Sequence, residues 1–169
     1  MLSHCEARMK DLVDRTGFDC VITRLYGNKV IDTHRQHSSS PALLRYGRGR
    51  PRPLFLGAAP KVILAHLPAY SLQKIFNEQS QSIQQANLPS DWKAFGRYFT
   101  TIRKAGYYFS NGELEPNVSA MACPIHDKEG LILGAISLVA HVDRMQMIQA
   151  DKLAALLKNS AQEINENLN

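Results

Sequence analysis

With 169 residues, 44% of them hydrophobic and 21% charged, the chain has the length of one domain and the composition of an ordinary folded protein. A chain of this length buries roughly two thirds of its unfolded surface, so a core can form without disulfides or metals. The net charge of +5 permits a polyanionic partner without demanding one, and no apolar run approaches the roughly 18 residues that would span a bilayer.

Residues 3 to 15 read as a helix, with Ala7, Leu12 and Val13 apolar among charges and Gly17 breaking the pattern. Those charges stand where an export signal would be apolar, so we expect a cytoplasmic location and no membrane contact. Residues 18 to 26 are rich in β-branched and aromatic side chains. Gly27-Asn28 joins them to a second apolar run at Val30 and Ile31, a hairpin signal. A loop over residues 38 to 41 and a short strand over residues 42 to 46 follow.

The segment GRGRPRPLFLGAAPKVILAHLP, residues 47 to 68, combines a basic turn, a short apolar strand candidate at Leu54-Phe55-Leu56, a small-residue loop and an apolar helix. Arg45, Arg48, Arg50 and Arg52 fall close together, but Gly47, Gly49, Pro51 and Pro53 interrupt them. They therefore cannot line one face of a recognition helix, and a solvated loop is expected instead of a nucleic-acid grip. The loop Gly57-Ala58-Ala59 lets a small molecule approach the backbone. The first turn of the helix from about Ala59 offers unpaired N–H groups that suit a carboxylate or phosphate. Pro60 removes one of those donors.

Pro68 ends this helix and a second covers about residues 70 to 79. Ser90-Asp91 opens another, in which Trp92, Phe95, Phe99 and Ile102 recur at helical spacing until Gly106. The last third changes period. Residues 118 to 125 and 131 to 142 are apolar, β-prone runs joined by Asp127-Lys128-Glu129-Gly130, a long hairpin. Alternation groups Val118, Ala120 and Ala122 on one strand face, and Ala135, Ser137 and Val139 on another. These small side chains leave room for a ligand beside the Ser137 hydroxyl, or pack directly on a helix. A closing helix over residues 149 to 167 carries an apolar stripe of Leu153, Leu157, Ala161, Ile164 and Leu168. Hairpins at both ends with helices between them predict an α+β fold, an antiparallel sheet covered by helices.

Motifs of catalysis are missing: no GxSxG elbow, no P-loop and no GxGxxG opening a helix. Cys5, Cys20 and Cys123 are widely spaced and unpaired in pattern, and Cys123 sits in an apolar strand, which suits an inert buried thiol. The six histidines form no metal pattern. We expect no enzyme, no metal and no cofactor.

The chain resembles the C-terminal effector-binding domain of IclR-type bacterial transcription regulators, which is GAF-like. The matching pieces are Pro53-Leu54, Lys61 with Ile63-Leu64-Ala65, Ile102-Arg103-Lys104-Ala105-Gly106-Tyr107, Ala122 with Pro124, and Gly134-Ala135-Ile136-Ser137-Leu138. They span about residues 3 to 167. The resemblance implies a GAF-like antiparallel sheet of about six strands flanked by helices, in one effector-binding domain over residues 1–169. It further implies a ligand-sensing and oligomerising role, as homodimer or homotetramer, with a small organic effector, a carboxylic or aromatic acid. The ligand-binding residues it implies are Leu54, Ala58, Ala59, Ser110, Val118, Ala120, Ser137 and Val139. Regulators of this kind carry a winged helix-turn-helix domain ahead of the effector domain, and we expect none in this chain, so DNA is contacted only through a separate domain.

The sequence departs from the family pattern at Pro60, where a small residue is usual, at Phe55, where His is common, and at Ser110, where an acid is frequent. With Ala120 and Val139 these predict an apolar effector anchored through few hydrogen bonds. Two other readings stand beside this one. The first is a stand-alone GAF-like thiol redox enzyme or sensor using Cys123 or Cys20, and the second a nucleic-acid binder using the arginine turn.

Overall fold

The computed structural model describes residues 2–42 and 49–168. The strand expected over residues 42–46, beyond its first residue, and Arg45 and Arg48 of the basic turn lie outside the described residues.

Helix α1 (Leu2–Thr16) leads into the hairpin of β1 (Asp19–Tyr26) and β2 (Lys29–Gln36), with Gly27 at φ 62° in the turn. A two-residue strand β3 (Pro51–Arg52) comes next, then helices α2 (Ala58–Ala65), α3 (Ala69–Glu78), α4 (Ser80–Gln85) and α5 (Trp92–Ala105). The remaining elements are β4 (Tyr108–Asn111), β5 (Val118–His126), β6 (Ile132–His141), α6 (Val142–Met145) and α7 (Ala150–Glu166). The strands form a six-stranded sheet in the order β3-β2-β1-β6-β5-β4. Every neighbouring pair is antiparallel, and the contact of β1 with β6 joins the two hairpins. The α+β plan expected from the sequence is the fold observed.

Strand alternation divides the core. Cys20 and Ile22 of β1, Met121, Cys123 and Ile125 of β5, and Ile136, Leu138 and Ala140 of β6 meet α1 and α7 on one face. The α7 stripe of Leu153, Leu157, Ala161 and Ile164 is buried there. Ala122 and Ala135, on the opposite face, pack against α2 and, through it, α5. In α5, the Asp91 carboxylate accepts from the Ala94 N–H to start the helix, and Gly106 at φ 77° ends it. Its Phe95 stacks on Phe99 with ring centroids 4.9 Å apart.

One expectation is corrected. Leu54-Phe55-Leu56 forms no strand: Pro51-Arg52 pairs with Val30 and Ile31 instead, and the chain then turns. Phe55 is the reason, because its ring is drawn into the second core, 6.2 Å from that of Phe95. The short elements β4, α4 and α6 also escape the sequence pattern, being too brief for a period to register.

A β-bulge in the first hairpin redirects two charged side chains. In β1–β2, Ile22 faces His34 but Thr23 faces Asp32, so Thr33 is the extra residue. Asp32 and Arg35 are an odd number of positions apart, which alternation would put on opposite faces. The bulge turns both toward the α2 side.

Candidate functional site

Between the sheet and the start of α2 lies a cavity of about 30 Å³. Its floor is built by strand register. Ala122, Ser137, Val21 and Arg35 are successive cross-strand partners along one row, and Ser110, Ala120, Val139 and Asp19 along the next; all of these but Ala122 and Asp19, one at an end of each row, line the cavity. Gly57 and Ala59 close the cavity from α2, Leu114 and Glu115 from the β4–β5 connection, and Arg52 from β3.

Of the positions implied by resemblance, Ala59, Ser110, Val118, Ala120, Ser137 and Val139 line this one cavity, although they come from α2, β4, β5 and β6. Leu54 does not; it lines a separate recess beside α4. Ala58 is wholly buried in the second core and lines no part of the cavity. The residues that sequence reasoning missed are Asp32, Arg35 and Arg52. Two of them depend on the bulge. The third, Arg52, belonged to a basic turn read as solvated, yet it forms a cavity wall.

These three are tightly coupled. The buried Asp32 carboxylate accepts from Thr23 Oγ1 at 2.8 Å and from Arg52 Nη1 at 2.9 Å, while Arg35 Nη2 stands 3.7 Å from its other oxygen. Arg35 also lies 3.8 Å from Asp19, whose carboxylate accepts the Ser38 and Ala42 N–H groups. After these contacts Arg35 Nη2, Arg52 Nε and Ser137 Oγ are buried without a hydrogen-bond partner. The expectation of a greasy lining with few polar anchors is therefore corrected: β2 and β3 bring charge that β5, β6 and α2 lack.

The helix start is also altered. Gly57, at φ 95°, precedes α2, and its N–H points to Glu113 Oε1 at 3.4 Å. Glu113 also accepts from the buried Lys61 ammonium at 2.5 Å and from the Tyr108 hydroxyl at 2.6 Å. Burial, and then the bond to Glu113, raise the Tyr108 pKa and keep its proton in place. The carboxylate attracted to the start of α2 is thus the chain's own.

A larger cavity, about 110 Å³, lies on the opposite face of the sheet, with largely apolar walls from Ile22, Ile125, Leu133, Ile164 and Leu168. It holds none of the three unpartnered groups of the α2 side, and so offers less to fix a polar ligand. The thiols suit no redox site. Cys20 and Cys123 are buried, and burial raises the pKa of both thiols, that of Cys123 to about 12. Among the described residues no group of His, Cys, Asp and Glu is placed to hold a metal, and no helix is long and apolar enough to cross a membrane.

Residues 1–166 match the family described as bacterial transcriptional regulator IclR, C-terminal. The chain belongs to the IclR C-terminal domain family. That family is one of transcription regulators and not of enzymes. A curated relative from Cupriavidus necator, named "Probable transcriptional regulator SauR", is 25% identical over 158 residues, covering 94% of this chain and 63% of the relative. The chain thus spans less than two thirds of that relative's length. The Thermotoga maritima IclR structure superposes with a TM-score of 0.87 at 21% identity, over 98% of this chain and 67% of that one. The C-terminal domain of Escherichia coli KdgR gives a TM-score of 0.73 at 19% identity, over 99% and 97%. Both likenesses are of fold alone, and they match the six-stranded α+β architecture of this chain to IclR C-terminal domains.

Proposed function

We propose that this IclR C-terminal domain senses a small organic acid in the cavity between the sheet and α2. Binding there alters how a separate domain of the regulator contacts DNA, and the domain acts in the cytoplasm as a homodimer or homotetramer. The supporting observation is convergence: Ala59, Ser110, Val118, Ala120, Ser137 and Val139, from four elements, border one enclosed space. Small side chains are what a floor needs if a ligand is to lie on a sheet that a helix also covers.

The cavity is small as it stands, with room for only a few non-hydrogen atoms. A larger effector must displace the connection carrying Leu114 and Glu115. Ligand-induced displacement of that connection is a means by which occupancy reaches the rest of the molecule.

The reading is tested by titrating the chain with short-chain and aromatic carboxylic acids while following its melting temperature. At least one acid should raise Tm in a dose-dependent way, and Ala120→Trp, which fills the floor, should abolish the rise. An absence of response to every acid overturns the proposal. Sedimentation should give a dimer or tetramer, and a mobility-shift assay with the chain alone should show no DNA binding at moderate salt.

A further inference from the structure

We propose that Arg35, Arg52 and Ser137 form a clamp that selects a compact oxyanion, a short carboxylate or a tetrahedral group such as sulfate, over apolar and aromatic ligands. This rests on the sensing role proposed for the same cavity, and it names the ligand chemistry.

Among the described residues, each cavity atom buried without a hydrogen-bond partner is able to donate. Arg35 Nη2, although ion-paired with Asp32 at 3.7 Å, and Arg52 Nε are buried donors without hydrogen-bond partners, and guanidinium nitrogens cannot accept. The Ser137 hydroxyl is free to donate as well. The acceptors closest to the arginines, Asp32 and Asp19, are taken, and Glu115 of the β4–β5 connection is also partnered. Asp32 receives Thr23 and Arg52 on one oxygen and faces Arg35 with the other, and Asp19 receives two backbone N–H groups. Buried donors left unmade are costly, so the ligand that fits is one rich in acceptors. An oxyanion presents acceptors only, and arginine forks match its geometry.

Register fixes the placement. Ser137 and Arg35 flank Val21 on adjacent strands of one row, and Arg52 comes from beside Val30 at the end of β2. Asp32 holds Arg52 in place through Nη1, leaving Nε for a ligand. The side chains of Arg52 and Arg35 are only 10% and 12% exposed, so these donors work shielded from water. With the connection carrying Leu114 and Glu115 in place, the volume of about 30 Å³ admits only a compact anion. Arg35 and Arg52 stand among three carboxylates, those of Asp32, Asp19 and Glu115, so selectivity comes from directed hydrogen bonds more than from net charge.

The test is calorimetric titration of the chain with glyoxylate, inorganic sulfate, benzoate and neutral acetamide, repeated on Arg52→Lys and Ser137→Ala. Lysine keeps a cation beside Asp32 but loses the Nε fork. Ser137→Ala removes a buried hydroxyl that has no hydrogen-bond partner in the protein, so its melting temperature should be no lower than that of the parent. Glyoxylate, sulfate or both should bind at least about tenfold more tightly than benzoate and acetamide. Ser137→Ala should weaken that binding about threefold to tenfold, and Arg52→Lys about tenfold or more. Glyoxylate alone identifies a carboxylate ligand, and sulfate alone a tetrahedral one. Equal binding of the compact anion by the parent and both variants overturns the clamp. So does preferred binding of benzoate or acetamide, which leaves the sensing role standing. No binding by any of the four compounds, nor by the wider acid series, overturns both.

Discussion

Arg52, on the two-residue strand β3, donates from Nη1 to Asp32 Oδ1 on β2 at 2.9 Å, and both side chains are nearly covered. The pair ties the short edge of the sheet to the wall of the cavity. Replacing Arg52 with Met leaves Asp32 buried with one cation fewer. That should cost about 3–5 kcal/mol in urea-induced unfolding, the usual penalty for breaking a buried pair from one side. The double variant Arg52→Met with Asp32→Leu should recover part of the loss, since the cost of burying this pair vanishes while Thr23 and Arg35 lose Asp32 as a partner. A double variant no more stable than the single one would show that the ion pair is not the stabilising unit.

The seam between the two hairpins depends on Gly134. It pairs with Arg24 across β1 and β6, and a Cβ there would be driven into the Thr23 carbonyl. That oxygen is backbone in the middle of a strand and cannot step aside. Gly134→Ala should therefore destabilise the chain by about 1–3 kcal/mol, or more if the strands part. Gly96, on α5 with open space around it, is the control. There the same change should be neutral or stabilising by up to about 1 kcal/mol.

These two positions also show where sequence is informative. The hairpins announced themselves through Gly27-Asn28 and through Asp127 to Gly130, and α5 through the spacing of Phe95, Phe99 and Ile102, because each signal is local. The floor of the cavity was readable for the same reason: alternation alone groups Val118 with Ala120, and Ser137 with Val139. The charged wall was not. Asp32 and Arg35 share a face only because Thr33 bulges out of register, and a bulge is set by pairing across strands. Arg52 looked like one of several loop arginines, and only its pairing beside Val30 aims it inward. The α2 cradle was legible as chemistry, but its occupant, Glu113, lies over fifty positions away in sequence.

Glu113 gives a third prediction. It bonds Lys61, Tyr108 and the Gly57 N–H together, and Lys61 is only 4% exposed. Glu113→Ala strands that ammonium in the core and should lower stability by about 3–5 kcal/mol. Tyr108→Phe removes a single hydroxyl and should cost about 0.5–1.5 kcal/mol. Hydrogen exchange should also quicken across residues 112–117 in the Glu113 variant more than elsewhere, because its anchor to α2 is gone. Uniform acceleration over the whole chain would mean that Glu113 supports global stability without holding that connection.

His66 at the end of α2 and His126 at the end of β5 meet edge to face, with ring centroids 5.2 Å apart. Burial is the main cause that lowers both pKa values below the ordinary 6.5, and Arg103 lowers both further. For His66 the bond to the Val62 carbonyl opposes this, and for His126 the nearby Asp127 does. Each imidazole is thus harder to protonate in the folded chain than in the unfolded one. Between the folded values and 6.5 the unfolded chain holds more protons, so stability must rise with pH through that window and fall on acidification. Urea unfolding at steps from pH 7.0 down to 5.5 should show the decline before most carboxylates begin to titrate. The variant His66→Gln with His126→Gln should flatten it, and an unchanged slope in that variant would place the pH sensitivity elsewhere.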